Sequence, residues 1–189
     1  FDAIDRDGDA SPEIFPFDKN RTFLYNPTNT HGTEVAGLIG AEAFNDLGGT
    51  GVSHKAQIVP IRLIDAGQFP QAFVDTFRFE TDQIDVTNNS WGPAIVRGVS
   101  GPSAAQLLAI RDSIFFGRDG KGVIHMFASG NSGEFGDTSS YNGWVNSRYT
   151  IGVTGVDHDG FYNNIDGTTT GYPETGGSVL VAAPTGSVA

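Results

Sequence analysis

Short apolar runs alternate with helix-like segments along most of the chain, and this alternation limits the possible folds more than any other feature. The run at 122–128, GVIHMFA, is interpreted as a continuous apolar strand, and it follows an amphipathic segment at 102–116. Strands that are apolar on both faces need cover on both sides, which intervening helices provide. The pattern therefore predicts an α/β fold with a mainly parallel central sheet.

Periodicity and turn signals place the remaining elements. Helices are predicted at 31–44, 69–82 and 102–116. Strands are predicted at 57–64, 84–90, 122–128, 149–156 and 178–183. The first helix is rich in glycine, which favours a helix only when it packs closely, so we expect it to be buried. The last helix should direct Leu107, Leu108 and Ile110 inward, and 57–64 should be a buried strand despite Pro60.

Composition excludes several kinds of protein. The 189 residues carry a formal net charge of -11, which disfavours binding to nucleic acid, and they include no cysteine for disulfides or thiolate chemistry. No apolar run approaches the roughly 18 residues of a membrane-spanning helix. Acidity fits calcium or a basic substrate, but it is also common in soluble proteins. With no internal repeats or linkers, residues 1–189 are interpreted as one domain.

His31-Gly32-Thr33 opens the first predicted helix. Histidine is the side chain that accepts and returns protons most readily near neutral pH, so His31 is a candidate general base. Taken alone, this motif is more often an exposed or helix-capping histidine.

Two further motifs each follow a predicted strand. Ser90-Trp91-Gly92 could pair with the main chain of an extended peptide, or it could be a turn with a core tryptophan. Ala128-Ser129-Gly130 precedes Asn131, whose amide could donate to a developing oxyanion or belong to an ordinary turn. Ligands of open α/β sheets bind at such strand ends.

The order of these three motifs resembles that of the subtilisin-like serine peptidases, over essentially all 189 residues. Several short segments are closer to the kexin and furin branch: Trp91-Gly92-Pro93, Gly101-Pro102-Ser103, 117–122, Asn142-Gly143 and Asn146-Ser147. By contrast, 180–184 is closer to bacterial subtilisins. The resemblance implies a three-layer subtilisin-like fold, here incomplete at both ends.

The resemblance also implies roles for the motif residues. His31 matches the histidine of an Asp-His-Ser triad, and Asn131 matches the oxyanion-hole asparagine. Ser90-Trp91-Gly92 and Ala128-Ser129-Gly130 match the two segments that hold a peptide substrate. The triad aspartate and serine have no match in family context, so we expect a partial catalytic domain that is inactive alone and needs the remaining pieces of the same domain.

Calcium is the cofactor that the resemblance implies. The acidic run at 1–9, FDAIDRDGD, places Asp2, Asp7 and Asp9 on ligand positions of a family calcium loop, although by composition it is equally a solvated acidic loop. Asp137 and Glu174 match a second site, whose third carboxylate is missing at 94–96. Asn45 matches one ligand of a third site.

Two residues bear on the substrate specificity that the resemblance implies. Ile95 and Asn142 stand where furin-like enzymes carry acidic pocket residues, so we expect a preference broader than strict dibasic cleavage.

The alternative functions are a non-catalytic, calcium-stabilised protein-binding domain on the same scaffold and a hydrolase of non-peptide esters. As a peptidase, the protein is expected to be secreted or at the cell surface, and of bacterial origin.

Overall fold

A computed structural model of the chain describes residues 1–3, 8–10, 30–64, 70–93, 97–157, 159–161 and 171–185. The helices within these ranges are α1 (His31–Gly40), α2 (Pro70–Arg78) and α3 (Ala104–Phe116). The strands are β1 (Val86–Asn89), β2 (Ile124–Ala128), β3 (Ile151–Val156) and β4 (Val179–Pro184). The chain divides into two compact units, Phe1–Ala72 and Phe73–Ala189, each described by itself.

The four strands form one parallel sheet in the order β1-β2-β3-β4. The α/β fold with a parallel sheet is therefore confirmed. Asn89 pairs with Phe127, and Ala128 pairs with Val153, so the carboxyl ends of β1, β2 and β3 lie along one edge. Parallel neighbours need a crossover connection, and α3 supplies the one between β1 and β2.

The core of the second unit lies between this sheet and the helices that cover it. Phe77 on α2, Ile110 on α3 and Phe127 on β2 are each at most 2% exposed. Helix α3 starts with a capping box in which the Ser103 hydroxyl accepts from the N–H of Gln106 and the Gln106 side chain accepts from the N–H of Ser103. This cap fixes where α3 begins.

The inward face of α3 differs from the sequence-based prediction at Leu108, which is exposed, and at Leu107, which is only half-buried. Its buried positions are Gln106, Ala109, Ile110 and Ser113, which follow the helical spacing of three and four. Ile110 is buried as predicted, whereas Leu108 is 44% exposed because it lies outside that stripe.

In the first unit, α1 begins at His31 as predicted but is not buried. No residue of α1 is buried, and Leu38 is 74% exposed. The loop that follows contacts the last turn through main-chain bonds, from Val52 N–H to the Leu38 carbonyl and from Gly51 N–H to the Ala41 carbonyl. Such contacts leave the side chains of the helix uncovered. A Cβ on Gly51 would lie 2.4 Å from the Ala41 nitrogen, so only glycine fits there.

The predicted buried strand at 57–64 is also wrong. Within the described ranges its one bridge joins Arg62 to Asp2, and Ile58, Val59 and Ile64 are each at least 42% exposed. Pro60 lacks the N–H that a ladder requires, which limits pairing to a single position. Among the described residues, no helix is long and apolar enough to cross a membrane.

Candidate active site

A cavity of about 160 Å³ opens in the second unit where β1 and β2 end. Because the two strands are parallel, the segments that follow them emerge side by side. Its lining includes residues from both sequence motifs: Ser90, Trp91, Gly92, Ala128, Gly130 and Asn131. We call Ser90-Trp91-Gly92 the first wall and Ala128-Ser129-Gly130 the second wall.

The first wall is held by its tryptophan. The Trp91 ring packs edge-on against Phe73, Phe127 and Trp144, with ring centroids 5.1–5.3 Å apart. Aromatic contacts of this geometry stabilise by about 0.5–1.5 kcal/mol each beyond their buried area. Among the described residues, the main chain of Trp91 and Gly92 makes no backbone hydrogen bond outside the strand ladder. The wall is therefore anchored by a side chain while its main chain stays available to a ligand.

The second wall is anchored through Ser129, which is 2% exposed and does not line the cavity. Its N–H donates to the Val153 carbonyl at 2.8 Å, and its hydroxyl donates to Thr154 Oγ1 at 3.1 Å. Ala128 and Gly130, on either side of it, line the cavity. This alternation is what a strand produces when one residue points to the core and its neighbours do not.

Gly130 is required at its position for two reasons. Its φ is +123°, a conformation that side chains of other residues rarely adopt, and a Cβ there would lie 2.2 Å from Glu174 Oε1. The Gly130 carbonyl also accepts the N–H of Glu174 at 3.1 Å. The glycine thus lets a carboxylate approach the second wall from behind.

Asn131 lies directly after the second wall, at the rim of the cavity. It is exposed and contributes to the lining. An amide in this position can donate hydrogen bonds to an oxygen held between the two walls.

Two carboxylates, Asp137 and Glu174, lie at the cavity. Asp137 accepts from the N–H groups of Arg97 at 2.9 Å and Thr138 at 2.8 Å, and Glu174 accepts from the N–H of Ser132 at 3.2 Å. Burial raises the pKa of the Glu174 carboxyl, the Ser132 hydrogen bond opposes this, and the negative charge of Asp137 raises it further. A cation between these carboxylates would relieve the cost of the buried charge.

Asn142 contributes a neutral amide to the same cavity. It is 8% exposed, and its side-chain oxygen accepts the N–H of Trp144 at 3.0 Å. A Cβ on Gly92 would lie 3.5 Å from the Asn142 amide nitrogen, so the amide faces the first wall. Ile95, the other expected substitution, lies outside the described residues.

The remaining site residues predicted from the sequence belong to the first unit. His31 is the exposed first residue of α1, and the side-chain oxygen of Asn45 accepts the N–H of Leu47 at 3.1 Å. Asp2 is 1% exposed and accepts from Arg62 Nη1 at 2.8 Å, whereas Asp9 is exposed. Asp7 lies outside the described residues.

Sequence reasoning missed several residues that line the cavity: Gly98, Ser100, Ser132, Thr138 and Tyr141. The Ser100 hydroxyl is buried and has no hydrogen-bond partner within the described part of the chain, although its main chain pairs with the segment around Asn142. No periodicity or spacing marks these residues, because they reach the cavity only through loops that fold back on the strand ends.

The sequence matches a known protein family over most of its length. The profile described as "Subtilase family" matches residues 14–186. The chain is 38% identical to kexin from Saccharomyces cerevisiae over 129 residues, which cover 68% of this chain and 16% of kexin. It is 33% identical to furin-like protease 2 of Drosophila melanogaster over 160 residues, covering 84% and 10% respectively. The chain therefore spans only a small part of these relatives.

Solved structures agree on the fold. A serine protease of Aeromonas sobria superposes with a TM-score of 0.66 at 20% identity, covering 82% of this chain and 29% of that one. MycP1 with its N-terminal propeptide removed gives a TM-score of 0.60 at 16% identity, covering 84% of this chain and 54% of that one. At such identities the likeness supports the fold alone.

Proposed function

The chain belongs to the subtilase family, and from this premise we propose that it is part of the catalytic domain of a serine endopeptidase related to kexin and the furin-like proteases. The substrate is an extended polypeptide that lies between the first and second walls. The observation that carries this proposal is the convergence of both walls and Asn131 on one cavity at the carboxyl ends of β1 and β2.

The two walls suit a peptide better than a compact ester. The main chain of Trp91 and Gly92 can pair with a substrate strand, as in other cases of strand addition. Such pairing fixes the scissile carbonyl beside Asn131 without depending on the substrate's sequence. The side chain of one substrate residue then enters the cavity, where the Asn142 amide can contact it.

His31 is proposed as the general base. In this mechanism a serine hydroxyl attacks the scissile carbonyl while His31 accepts its proton and later returns it to the leaving amine. The Asn131 amide donates to the oxygen on which negative charge develops. The serine and the aspartate that orients His31 have no counterpart in family context within these 189 residues, so we expect the 189-residue chain alone to be inactive.

Calcium is proposed as a stabilising ion. Asp137 and Glu174 fit one end of such a site, because a buried carboxylate with a raised pKa stands beside a second carboxylate. No cluster of three or more His, Cys, Asp or Glu suited to a metal occurs among the described residues, so further ligands would have to be carbonyl or water oxygens, or residues at 94–96. Bound calcium would supply positive charge that compensates these carboxylates.

The acidic segment and Asn45 are further candidate calcium ligands. The Asp2 carboxylate already pairs with Arg62, so Asp9 and Asp7 would have to supply most of a calcium site there. Asn45 has its side-chain oxygen engaged by Leu47. Secretion or display at the cell surface remains part of the proposal, as does a bacterial source.

The test uses the protein expressed from its complete reading frame, alongside the 189-residue chain and a His31→Ala variant. We expect the complete protein to cleave a fluorogenic peptide library, and both the variant and the 189-residue chain to lose cleavage. Specific cleavage by the isolated chain, or an unchanged rate for His31→Ala, would disprove the proposed mechanism. Peptide binding without cleavage by the complete protein would favour a non-catalytic binding domain instead.

A further inference from the structure

A buried network of hydrogen bonds connects β1, β2 and α3, and β1 and β2 are the strands that lead into the two walls. At its centre is the His125 ring, which is 2% exposed. Its Nδ1 lies 2.8 Å from Thr87 Oγ1 on β1, and its Nε2 lies 2.7 Å from Ser113 Oγ on α3. His125 precedes Ala128 by three residues and Thr87 precedes Ser90 by three, so these hydrogen bonds join the same two strands that lead into the walls.

The neighbouring hydrogen bonds determine where the protons lie. The Ser113 hydroxyl donates to the Ile110 carbonyl at 2.7 Å, so its oxygen is left to accept from His125 Nε2–H. The Asn89 amide donates to Thr87 Oγ1 at 2.9 Å, so the Thr87 hydroxyl donates to Nδ1. Every member of the network is therefore satisfied by a neutral ring that carries its proton on Nε2.

A second proton on His125 breaks this arrangement. Nδ1 would become a donor, and the Thr87 hydroxyl would have to turn its own proton away to a new partner. Among the described residues, the ring also packs against the edge of Phe77 on α2, with centroids 5.4 Å apart. The groups facing the ring from β1, α3 and α2 are thus Thr87, Ser113 and Phe77, and none of them carries charge.

The direction of the pKa shift of His125 agrees with this geometry. Burial lowers the pKa of His125 from 6.5 to about 4, with no charged neighbour contributing. A histidine whose pKa is lower in the folded than in the unfolded state stabilises the fold above pH 6.5. That stabilisation is lost as the pH falls from 6.5 towards 4.

We propose that His125 is a positioning residue and an acid-sensitive brace. Its neutral ring holds β1, β2 and α3 at the spacing that the two walls require, and its protonation releases them. The proposal rests on the proposed function only in assigning the walls to a peptide, since the brace itself concerns the fold of the second unit.

The experiment compares acid titrations of the wild-type chain and a His125→Gln variant, followed by tryptophan fluorescence. Both tryptophans, Trp91 and Trp144, belong to the aromatic cluster that reaches the His125 ring through Phe77. Glutamine can accept from Thr87 and donate to Ser113, but it does not titrate. We expect His125→Gln to match the wild type at pH 7 and to shift the acid transition down by at least one pH unit.

Further measurements keep the proposal testable if the variant folds poorly. Nuclear magnetic resonance of the imidazole nitrogens in the wild-type chain should show a neutral Nε2–H form of His125 throughout the range above pH 6. A His125→Leu variant should be less stable at pH 7 and should lack the same acid step. An acid transition shared by wild type and His125→Gln, or a ring protonated at Nδ1 when neutral, would overturn the brace.

The link to the walls is tested in the complete protein. KM for an extended peptide should rise on acidification in the wild type and much less in His125→Gln. A fluorescence step without any difference in KM would refute the positioning role. Absence of cleavage at every pH would instead count against the proposed function, and the fluorescence comparison would still decide the fate of the brace.

Discussion

Single atoms decide the chemistry of the cavity. Gly130 places a hydrogen where any other residue would place a carbon 2.2 Å from Glu174 Oε1, so a carboxylate can lie behind the second wall. Asn142 presents an amide where a carboxylate would change the charge of the same cavity. The residue types at these positions were visible in the sequence, but their distances from Glu174 and from Gly92 were not.

Replacement of Asn131 by alanine should lower kcat and leave KM nearly unchanged. The amide donates to charge that develops in the transition state, so its loss costs about 10²–10³ in kcat, the magnitude known for the corresponding donor in subtilisin. Because Asn131 is exposed, the thermal unfolding midpoint should not move. Steady-state kinetics of the complete protein measure both constants, and a rise in KM with constant kcat would argue for a binding role instead.

Replacement of Asn142 by aspartate should increase preference for a basic side chain. Aspartate keeps the acceptor for the Trp144 N–H and adds a negative charge at the cavity. A tenfold rise in kcat/KM for Arg or Lys over neutral residues corresponds to about 1.4 kcal/mol. Asn146→Asp is the matched control, since Asn146 is exposed and lies outside this cavity. Equal effects of both substitutions would contradict a specific role for Asn142.

At the scale of elements, the walls continue β1 and β2 and inherit their parallel register. The aromatic cluster of Phe73, Phe77, Trp91, Phe127 and Trp144 joins α2, β2 and the loops into one support for the first wall. Helix α3, β1 and β2 were predictable from local apolar runs and the turn signals that flank them. The inward face of α3 was predicted wrongly at Leu107 and Leu108, because apolar residues are not concentrated on one side of this helix and so do not mark the buried face.

Replacement of Trp91 by alanine should destabilise the chain and weaken peptide binding together. Loss of its contacts with Phe73, Phe127 and Trp144 is expected to cost about 3 kcal/mol, at the low end for large-to-small aromatic changes because Trp91 is half-buried. Trp91→Phe should retain more than half of that stability. Urea unfolding gives the energies, and KM for an extended peptide should rise in the same order. If Trp91→Ala lowers the stability but leaves KM unchanged, the Trp91 side chain does not position the first wall for peptide binding.

At the scale of the whole molecule, the two compact units carry different parts of the proposed mechanism. His31 and Asn45 belong to Phe1–Ala72, while the walls, Asn131 and the Asp137–Glu174 pair belong to Phe73–Ala189. The chain spans between 10% and 23% of the curated relatives to which it is similar, so the complete protein sets the final activity. Candidate calcium ligands occur in both units, so bound calcium could stabilise either one.

Calcium should raise the thermal unfolding midpoint of the chain, and the rise should be smaller at low pH. The raised pKa of Glu174 keeps part of that carboxyl protonated as the pH falls, and a proton competes with the cation. Glu174→Gln should reduce the calcium-dependent shift in differential scanning fluorimetry. Glu134→Gln is the control, because Glu134 is exposed and does not line the cavity. No shift in the wild type would argue against a calcium site in either unit.

The sequence by itself determined the family, the parallel sheet, the order of the three motifs and the start of α1 at His31. These follow from patterns that can be recognised within short stretches of sequence, namely apolar runs, glycine-rich turns and short motifs. Only the tertiary structure decided that α1 is exposed, that 57–64 is not a buried strand, and that Glu174 lies behind Gly130. It also showed that His125, in the middle of an apolar strand, lies between the hydroxyl groups of Thr87 and Ser113. Those outcomes depend on partners distant along the chain, and no local pattern encodes which groups will meet.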